Sequence, residues 1–172
     1  MTYLEVKDNG PGIHPITLAE TLTSIGVNHF LDMKGDYAFQ EHGINMKISF
    51  LRLAQQAIII TKTQPELKFG ILEQYLSVAL FSTKFCKDQQ NPYLLCPFVT
   101  MEMKNRKIYQ YKTNGGDEFL DLIASYSKGL FENGDDIKCY GLNKIPDSGT
   151  HLILLDLKKV QTQTGMQDEL IV

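Results

Sequence analysis

The stretch Asp8-Asn9-Gly10-Pro11-Gly12-Ile13 decides the fold that we expect for this chain. It follows the apolar residues Tyr3, Leu4 and Val6 and precedes a stretch with helical spacing, so the order strand, tight turn, helix is predicted. The turn holds one carboxylate and two glycines. Glycine accepts positive φ and lets another group approach the backbone closely. Because Asn-Gly and Gly-Pro-Gly are also common in ordinary turns, a ligand-binding turn and a plain turn both fit.

The composition is that of a single folded domain. The 172 residues are 43% hydrophobic and 22% charged, with a net charge of −3, which is a balance typical of globular proteins. The densest basic cluster, Lys104, Arg106 and Lys107, is short, and we expect it to be a solvated loop. The sequence therefore carries no direct nucleic-acid signature.

Cysteine and histidine spacing indicates neither a disulfide framework nor a metal site. The three cysteines, Cys86, Cys96 and Cys139, are odd in number and lack a C-x-x-C pair, which predicts free thiols in a reducing compartment. The four histidines lack metal-ligand spacing, so we predict no metal ligands. No secretory leader is visible, and no apolar run is long enough to span a bilayer. We expect an intracellular protein without membrane contact.

The first half of the chain predicts two helices, a loop and a strand after the opening turn. Residues 15–25 have a helical apolar face, and Gly26 ends this helix. Residues 28–40 predict a long loop, residues 41–54 a second helix, and the β-branched run at 57–61 a strand. The apolar face of the first helix consists of Ile16, Leu18, Ala19, Leu22 and Ile25.

The second half predicts three strands, one helix and a final strand. The strands are expected at residues 69–72, 76–81 and 94–98. A helix with Asp117 as N-cap is expected to run through Phe131, and a last strand at 152–157 follows the turn at 146–149. This order predicts an α+β fold, a two-layer α/β sandwich with a mixed sheet, over residues 1–160, followed by a polar tail at 161–172. A doubly wound sheet fits less well because the middle strands are consecutive.

Four stretches, in order, resemble the ATP-binding domain of the GHKL superfamily, which includes gyrase, the heat-shock chaperones and histidine kinases. Residues 8–13 resemble its adenine-binding box, and residues 42–47 stand in the place of its glycine-rich box. Residues 51–53 with 58–62, and Gly149-Thr150 before an apolar strand, complete the set. The resemblance implies a sandwich of Bergerat type, with the helices on one face of the sheet.

The second half of the chain narrows this resemblance to the MORC ATPases. Residues 77–82 and Pro97 resemble that family's middle strands, and Ser125-Tyr126-Ser127 with Phe131 resembles a helix end. Ile25-Gly26 resembles the family's glycine after the first helix. The match covers nearly the whole chain, and its specificity lies in the ordered set rather than in one motif. It implies ATP with Mg2+ as cofactor, a protein partner or homodimer, and a nuclear location.

The resemblance assigns roles to residues near the turn. Asp8 accepts a hydrogen bond from the adenine amino group, which guanine does not offer, and Thr150 assists through a water. Gly10 and Gly12 leave room beside the base. The alternative for Thr150 is a β-branched residue that opens a strand.

The resemblance also implies a phosphate site. Gly43 offers helix-start amides to the phosphates, Asn45 lies in the same box, and Lys47 reaches phosphate as a point charge. Residues 28–40 become a nucleotide lid. The alternatives are a plain helix-start glycine at Gly43 and a solvated lysine at Lys47.

The chain also departs from the family pattern. The general-base glutamate and the magnesium-binding asparagine of the family's first helix have no match here, and Glu5 is no substitute because it lies on the strand. We therefore predict no catalytic residue. Gln40 and Asn45 replace two glycines of the glycine-rich box, which raises the steric cost of closing on phosphate. We expect the chain to lack its first helix and not to hydrolyse ATP by itself.

Two functions stay open at this point. The chain is a MORC-like nucleotide-binding domain that binds ATP weakly, or it is a pseudo-ATPase that serves as a structural or protein-interaction module. A histidine-kinase domain is set aside, because that class carries several glycines after the lid.

Overall fold

The computed structural model describes residues 2–23, 49–50, 52–88, 96–105, 107, 116–160 and 169–170, and all structural statements concern these residues. The strands are β1 (Tyr3–Asp8), β2 (Ala54–Lys62), β3 (Glu66–Lys68), β4 (Ile71–Glu73), β5 (Tyr75–Ser82), β6 (Phe98–Glu102), β7 (Gly149–Leu157), β8 (Lys159–Val160) and β9 (Glu169–Leu170). The helices are α1 (Pro15–Thr23), α2 (Thr83–Asp88), α3 (Asp117–Tyr126) and α4 (Gly134–Lys144). The α+β class is confirmed.

The central sheet has five strands in the order β1-β7-β2-β5-β6. Every pairing between these strands is antiparallel, so the expectation of a mixed sheet is wrong for the described residues. The longest pairings join β2 to both β5 and β7, which makes the apolar run at 57–61 the centre of the sheet. A strand with neighbours on both sides and helices over both faces is apolar throughout, which explains the continuous run.

Along β2, β5, β6 and β7, side chains alternate between two apolar clusters, as the period of two requires. Ile58 and Ile60 point into the first cluster, which packs against α2, α3 and α4. Ala57 and Ile59 point into the second cluster, which packs against α1 and the helical residue Phe50. Helices therefore cover both faces of the sheet, and the expected two layers with helices on one face are corrected to three layers. The unbroken apolar run at 57–61 fits three layers, because a two-layer sandwich would leave every second side chain of the strand facing solvent.

Helix α1 confirms most of the predicted apolar face. Leu18, Ala19 and Leu22 are buried in the second cluster. Ile16, in contrast, is 36% exposed and lies outside the packed face. The helix is described as far as Thr23, so the predictions for Ile25, Gly26 and the loop at 28–40 lie outside the described residues.

The predicted helix from Asp117 to Phe131 is two helices with a break between them. Helix α3 ends at Tyr126 because Lys128 and Gly129 take φ of 58° and 83°, which no α-helix tolerates. Asn133 then caps α4, accepting a hydrogen bond from the Asp136 amide at 3.0 Å. The N-cap of α3 is Gly116, one residue before the predicted Asp117. The apolar spacing did not predict α4, because its residues are mostly polar.

Other predicted boundaries shift by a few residues. The strand expected at 69–72 is the turn and second arm of the β3–β4 hairpin, because Phe69 and Gly70 take positive φ. The strand expected at 94–98 begins at Phe98 and continues to Glu102. Within the helix expected at 41–54, residues 49–50 and 52–53 are helical and Ala54 already belongs to β2, while the rest lies outside the described residues. In the tail, β9 pairs with β8, and the other residues after 160 are outside the description.

Candidate functional site

Four of the predicted site residues lie together at one end of the central sheet. Strands β1 and β7 pair antiparallel in a register that sets Asp8 directly opposite Thr150. Gly10 and Gly12 follow Asp8 in the turn that leads to α1. The remaining predicted residues, Gly43, Asn45 and Lys47, lie outside the described residues. Two motifs that are 142 positions apart in the sequence therefore meet at one place.

The carboxylate of Asp8 organises its own turn and keeps one oxygen available. Oδ1 accepts a hydrogen bond from the Gly10 amide at 2.8 Å. This contact over two residues is the Asx-turn geometry that short polar side chains favour. Asp8 is exposed, and its Oδ2 atom has no partner among the described residues. An exposed carboxylate oxygen fixed at the end of a strand is a hydrogen-bond acceptor for a ligand.

Packing alone accounts for the glycine at position 12. Gly12 takes φ of 73°, and a Cβ there would lie 2.1 Å from the Lys62 carbonyl oxygen. The neighbouring Pro11 carbonyl accepts a hydrogen bond from the Gln64 amide at 2.7 Å. The turn therefore lies directly on the end of β2. At Gly10, whose φ is ordinary, a Cβ would lie 3.0 Å from Asp8 Oδ1.

Gly149 also lies in close contact with backbone, in this case with the end of β1. It takes φ of 146°, and a Cβ there would lie 2.3 Å from the Asp8 carbonyl oxygen. The loop before it is held by the buried Lys62, whose Nζ donates to the carbonyls of Ile145 and Pro146 at 2.9 and 2.8 Å. Glycine at this position lets β7 enter the sheet beside the end of β1.

Thr61 is a residue of this site to which the sequence pattern assigned no role. It is fully buried, and its Oγ1 accepts a hydrogen bond from the Ile13 amide at 2.8 Å. The same oxygen lies 3.2 Å from the Gly149 carbonyl oxygen and 3.0 Å from Thr150 Oγ1. Its place at the end of the β-branched run was visible in the sequence. Its partners were not, since they are 48 to 89 positions away.

Thr61 and Thr150 belong to a row of polar side chains that crosses the whole sheet. Pairwise registers align one residue from each of the five strands, and we name this set the polar row: Asp8, Thr150, Thr61, Ser77 and Thr100. Three of its members, Thr61, Ser77 and Thr100, are each 0% exposed. The row borders the second apolar cluster, because its members stand two positions from residues such as Ile59 and Phe98.

Two clefts flank the turn. A cleft of about 480 Å3 includes Lys7, Asp8, Lys144 and Asp147, so its formal charges cancel and it does not favour an anion by charge alone. A second cleft, of about 410 Å3, lies beside Gly12 and His14. The His14 ring packs edge-on against Tyr75, with the centroids 5.7 Å apart. Burial, and then the charge of Lys68, lowers the pKa of His14.

Glu5 is engaged on the opposite face of the sheet. Its Oε1 accepts a hydrogen bond from the Tyr140 hydroxyl, and its Oε2 lies 3.0 Å from Lys7 Nζ. His151 Nδ1 lies 3.1 Å from the same Tyr140 oxygen, which has given its hydrogen to Glu5, so the imidazole is the donor. Burial, and then the charge of Lys7, lowers the pKa of His151, while Glu5 and Asp8 raise it. Glu5 lies on β1, as the sequence predicts.

Within the described part of the chain, no group of three or more histidine, cysteine, aspartate or glutamate side chains is arranged to hold a metal ion. None of the described helices is both long and apolar enough to cross a membrane.

No protein-family model matches the chain, and no curated protein sequence matches it. The resemblance to GHKL and MORC proteins therefore rests on the sequence motifs alone.

Proposed function

We propose that this chain is a MORC-like GHKL nucleotide-binding domain that binds ATP weakly and does not hydrolyse it by itself. The observation that carries the proposal is the register that sets Asp8 opposite Thr150 beside the glycine turn. Asp8 Oδ2 has no partner among the described residues, and Thr150 is half-exposed with its hydroxyl at the same end of the sheet. Two adjacent acceptor groups suit the exocyclic amino group of adenine.

The proposal assigns a separate role to each residue of the site. Asp8 binds the adenine amino group, and Thr150 assists it. The turn from Gly10 to Gly12 supplies the backbone beside the base. Gly43, Asn45 and Lys47 contact the phosphates of ATP bound with Mg2+. The substitution of two box glycines by Gln40 and Asn45 is the reason that we propose weak binding.

Calorimetric titration of the purified chain with magnesium-ATP tests the proposal. We expect saturable binding, and the Asp8→Asn variant is expected to bind about 10- to 100-fold more weakly, because it loses a charged acceptor of the amino group. Asp117→Asn is the matched control. It makes the same chemical change at an exposed position of helix α3, where Asp117 pairs with Lys138, and should leave binding unchanged. A flat titration in a folded sample of the unaltered chain would refute the proposal.

A second candidate function is a pseudo-ATPase that serves as a protein-interaction module. The observation that favours it is the apolar surface of the β3–β4 hairpin, where Leu67, Phe69, Ile71 and Leu72 are 71%, 104%, 51% and 55% exposed. Clustered exposed apolar side chains are typical of surfaces that bind protein. The same titration separates the two functions, because the interaction module requires no affinity for ATP.

A further inference from the structure

The hydroxyl of Thr61 has more contacts than a threonine that only fills space. Its oxygen lies within hydrogen-bond distance of the Ile13 amide, the Gly149 carbonyl and the Thr150 hydroxyl, at 2.8, 3.2 and 3.0 Å. A hydroxyl offers one donor and two acceptor sites. Thr61 is fully buried, so these three groups are its available partners.

One arrangement of hydrogens satisfies all three contacts. The Ile13 amide is a donor, so Thr61 accepts there. The Gly149 carbonyl is an acceptor, so Thr61 gives it its single hydrogen. Thr150 must then donate to the second acceptor site of Thr61. In this arrangement the Thr150 hydroxyl hydrogen points into the protein, and the oxygen presents only lone pairs to a ligand.

We propose that Thr61 is a positioning residue that makes the site select a 6-aminopurine over a 6-oxopurine, by fixing the Thr150 hydroxyl as an acceptor. This inference rests on the proposed nucleotide-binding function. Asp8 and Thr150 stand directly opposite each other on adjacent strands, so both acceptors lie on the same face of the sheet. An amino group donates to such a pair, whereas a 6-oxo group faces only acceptors and is repelled.

Thr61→Val removes the hydroxyl and nearly preserves the shape of the side chain. Thr150 then lacks its internal acceptor, and its hydroxyl is free to turn outward and donate to a 6-oxo group. Thr61→Ser keeps the hydroxyl and is the matched control. A general loss of stability lowers the affinity for every nucleotide by the same factor, because it reduces only the fraction of competent protein. The ratio of two affinities therefore reports positioning separately from folding.

The experiment measures the dissociation constants for ATP and for inosine triphosphate, in the presence of Mg2+, for the unaltered chain and both variants. We expect the unaltered chain and Thr61→Ser to prefer ATP by a similar ratio. We expect Thr61→Val to reduce that ratio by about tenfold, the size of one hydrogen bond. Circular dichroism confirms that each variant is folded.

The outcomes separate this inference from the function on which it rests. If the unaltered chain binds ATP and Thr61→Val keeps the same ratio, the positioning role is refuted and the proposed function stands. If the unaltered chain binds neither nucleotide, both are refuted. If Thr61→Val does not fold, Thr150→Val decides the matter: it removes the oriented hydroxyl directly, and an unchanged ratio in that variant would overturn the inference.

Discussion

At the scale of single residues, two glycines let three parts of the chain meet at one end of the sheet. Gly12 lies against the Lys62 carbonyl at the end of β2, and Gly149 lies against the Asp8 carbonyl at the end of β1. Both contacts are with backbone atoms, which cannot move aside as a flexible side chain can. The site is therefore built on close backbone approach before any ligand is considered.

We predict that Gly12→Ala lowers the free energy of unfolding by about 3 kcal/mol or more, because its Cβ overlaps a carbonyl and its φ is positive. Urea unfolding followed by circular dichroism measures the change. Gly129→Ala is the control, since Gly129 also has positive φ but a Cβ added there would meet no atom within 4 Å. It should cost only the strain of a left-handed residue, about 1 kcal/mol. Equal losses in both variants would contradict the steric explanation.

The sequence predicts part of the site at this scale. The carboxylate and glycines of the turn are visible as a local pattern, and Asp8 and Thr150 are found by their motifs. The reason for Gly12 and the role of Thr61 are not visible, because each depends on a partner on another strand. Local patterns carry turn chemistry, whereas contacts between distant segments require the register of the sheet.

At the scale of elements, the edge strand β1 is tied to α4 and β7 by a polar cluster. Glu5 on β1, Tyr140 on α4 and His151 on β7 share one set of hydrogen bonds. Among the described strands, β1 pairs with β7 alone, so it has fewer backbone hydrogen bonds to hold it than a central strand. The cluster supplies a second attachment.

We predict that Tyr140→Phe lowers the free energy of unfolding by about 1–2 kcal/mol, because Glu5 and His151 both lose their hydroxyl partner. Hydrogen exchange of the β1 amides should accelerate more than that of the β5 amides. Tyr126→Phe is the control, because its hydroxyl bonds the exposed Asp88 at 3.1 Å. Similar exchange in β1 for both variants would show that the cluster does not hold the strand.

Elements with a strong apolar pattern were predicted well, and polar ones were not. The central run at 57–61 and the apolar run at 152–157 lie within β2 and β7. The division between α3 and α4 was missed because apolar residues at helical spacing continue past Gly129, and the residue type of Lys128 does not indicate its left-handed conformation. Lys128 also pairs with Asp156, another non-glycine residue with positive φ.

At the scale of the whole molecule, the half-buried His14 and the buried His151 make the free energy of unfolding depend on pH. Burial is the first cause of the lowered pKa of both His14 and His151. The unfolded chain takes up protons at the ordinary value of 6.5, while the folded chain takes them up only at lower pH. The unfolded state therefore binds more protons in this interval, and stability falls as the pH falls through it.

We predict that the free energy of unfolding decreases between pH 7 and about pH 5.5, and that His151→Gln makes this dependence shallower. Denaturant unfolding at several pH values measures the slope. The Asp117→Asn variant is a useful comparison, because it keeps both imidazoles and removes none of the charges that shift their pKa, so it should retain the slope. A pH-independent free energy of unfolding in the unaltered chain would contradict the prediction.

The polar row also has a consequence for how the chain reaches this structure. Its five residues lie opposite one another only when all five strands pair in the observed register, from Asp8 on β1 to Thr100 on β6. Sliding one strand by a single residue would turn a hydroxyl into an apolar cluster and leave its former partner, such as Ser77 beside Thr100 at 2.8 Å, unsatisfied. Apolar strands such as β2 would otherwise pair almost equally well in several alignments. The polar row therefore favours the observed strand register, because a shifted register leaves buried hydroxyl groups without hydrogen bonds.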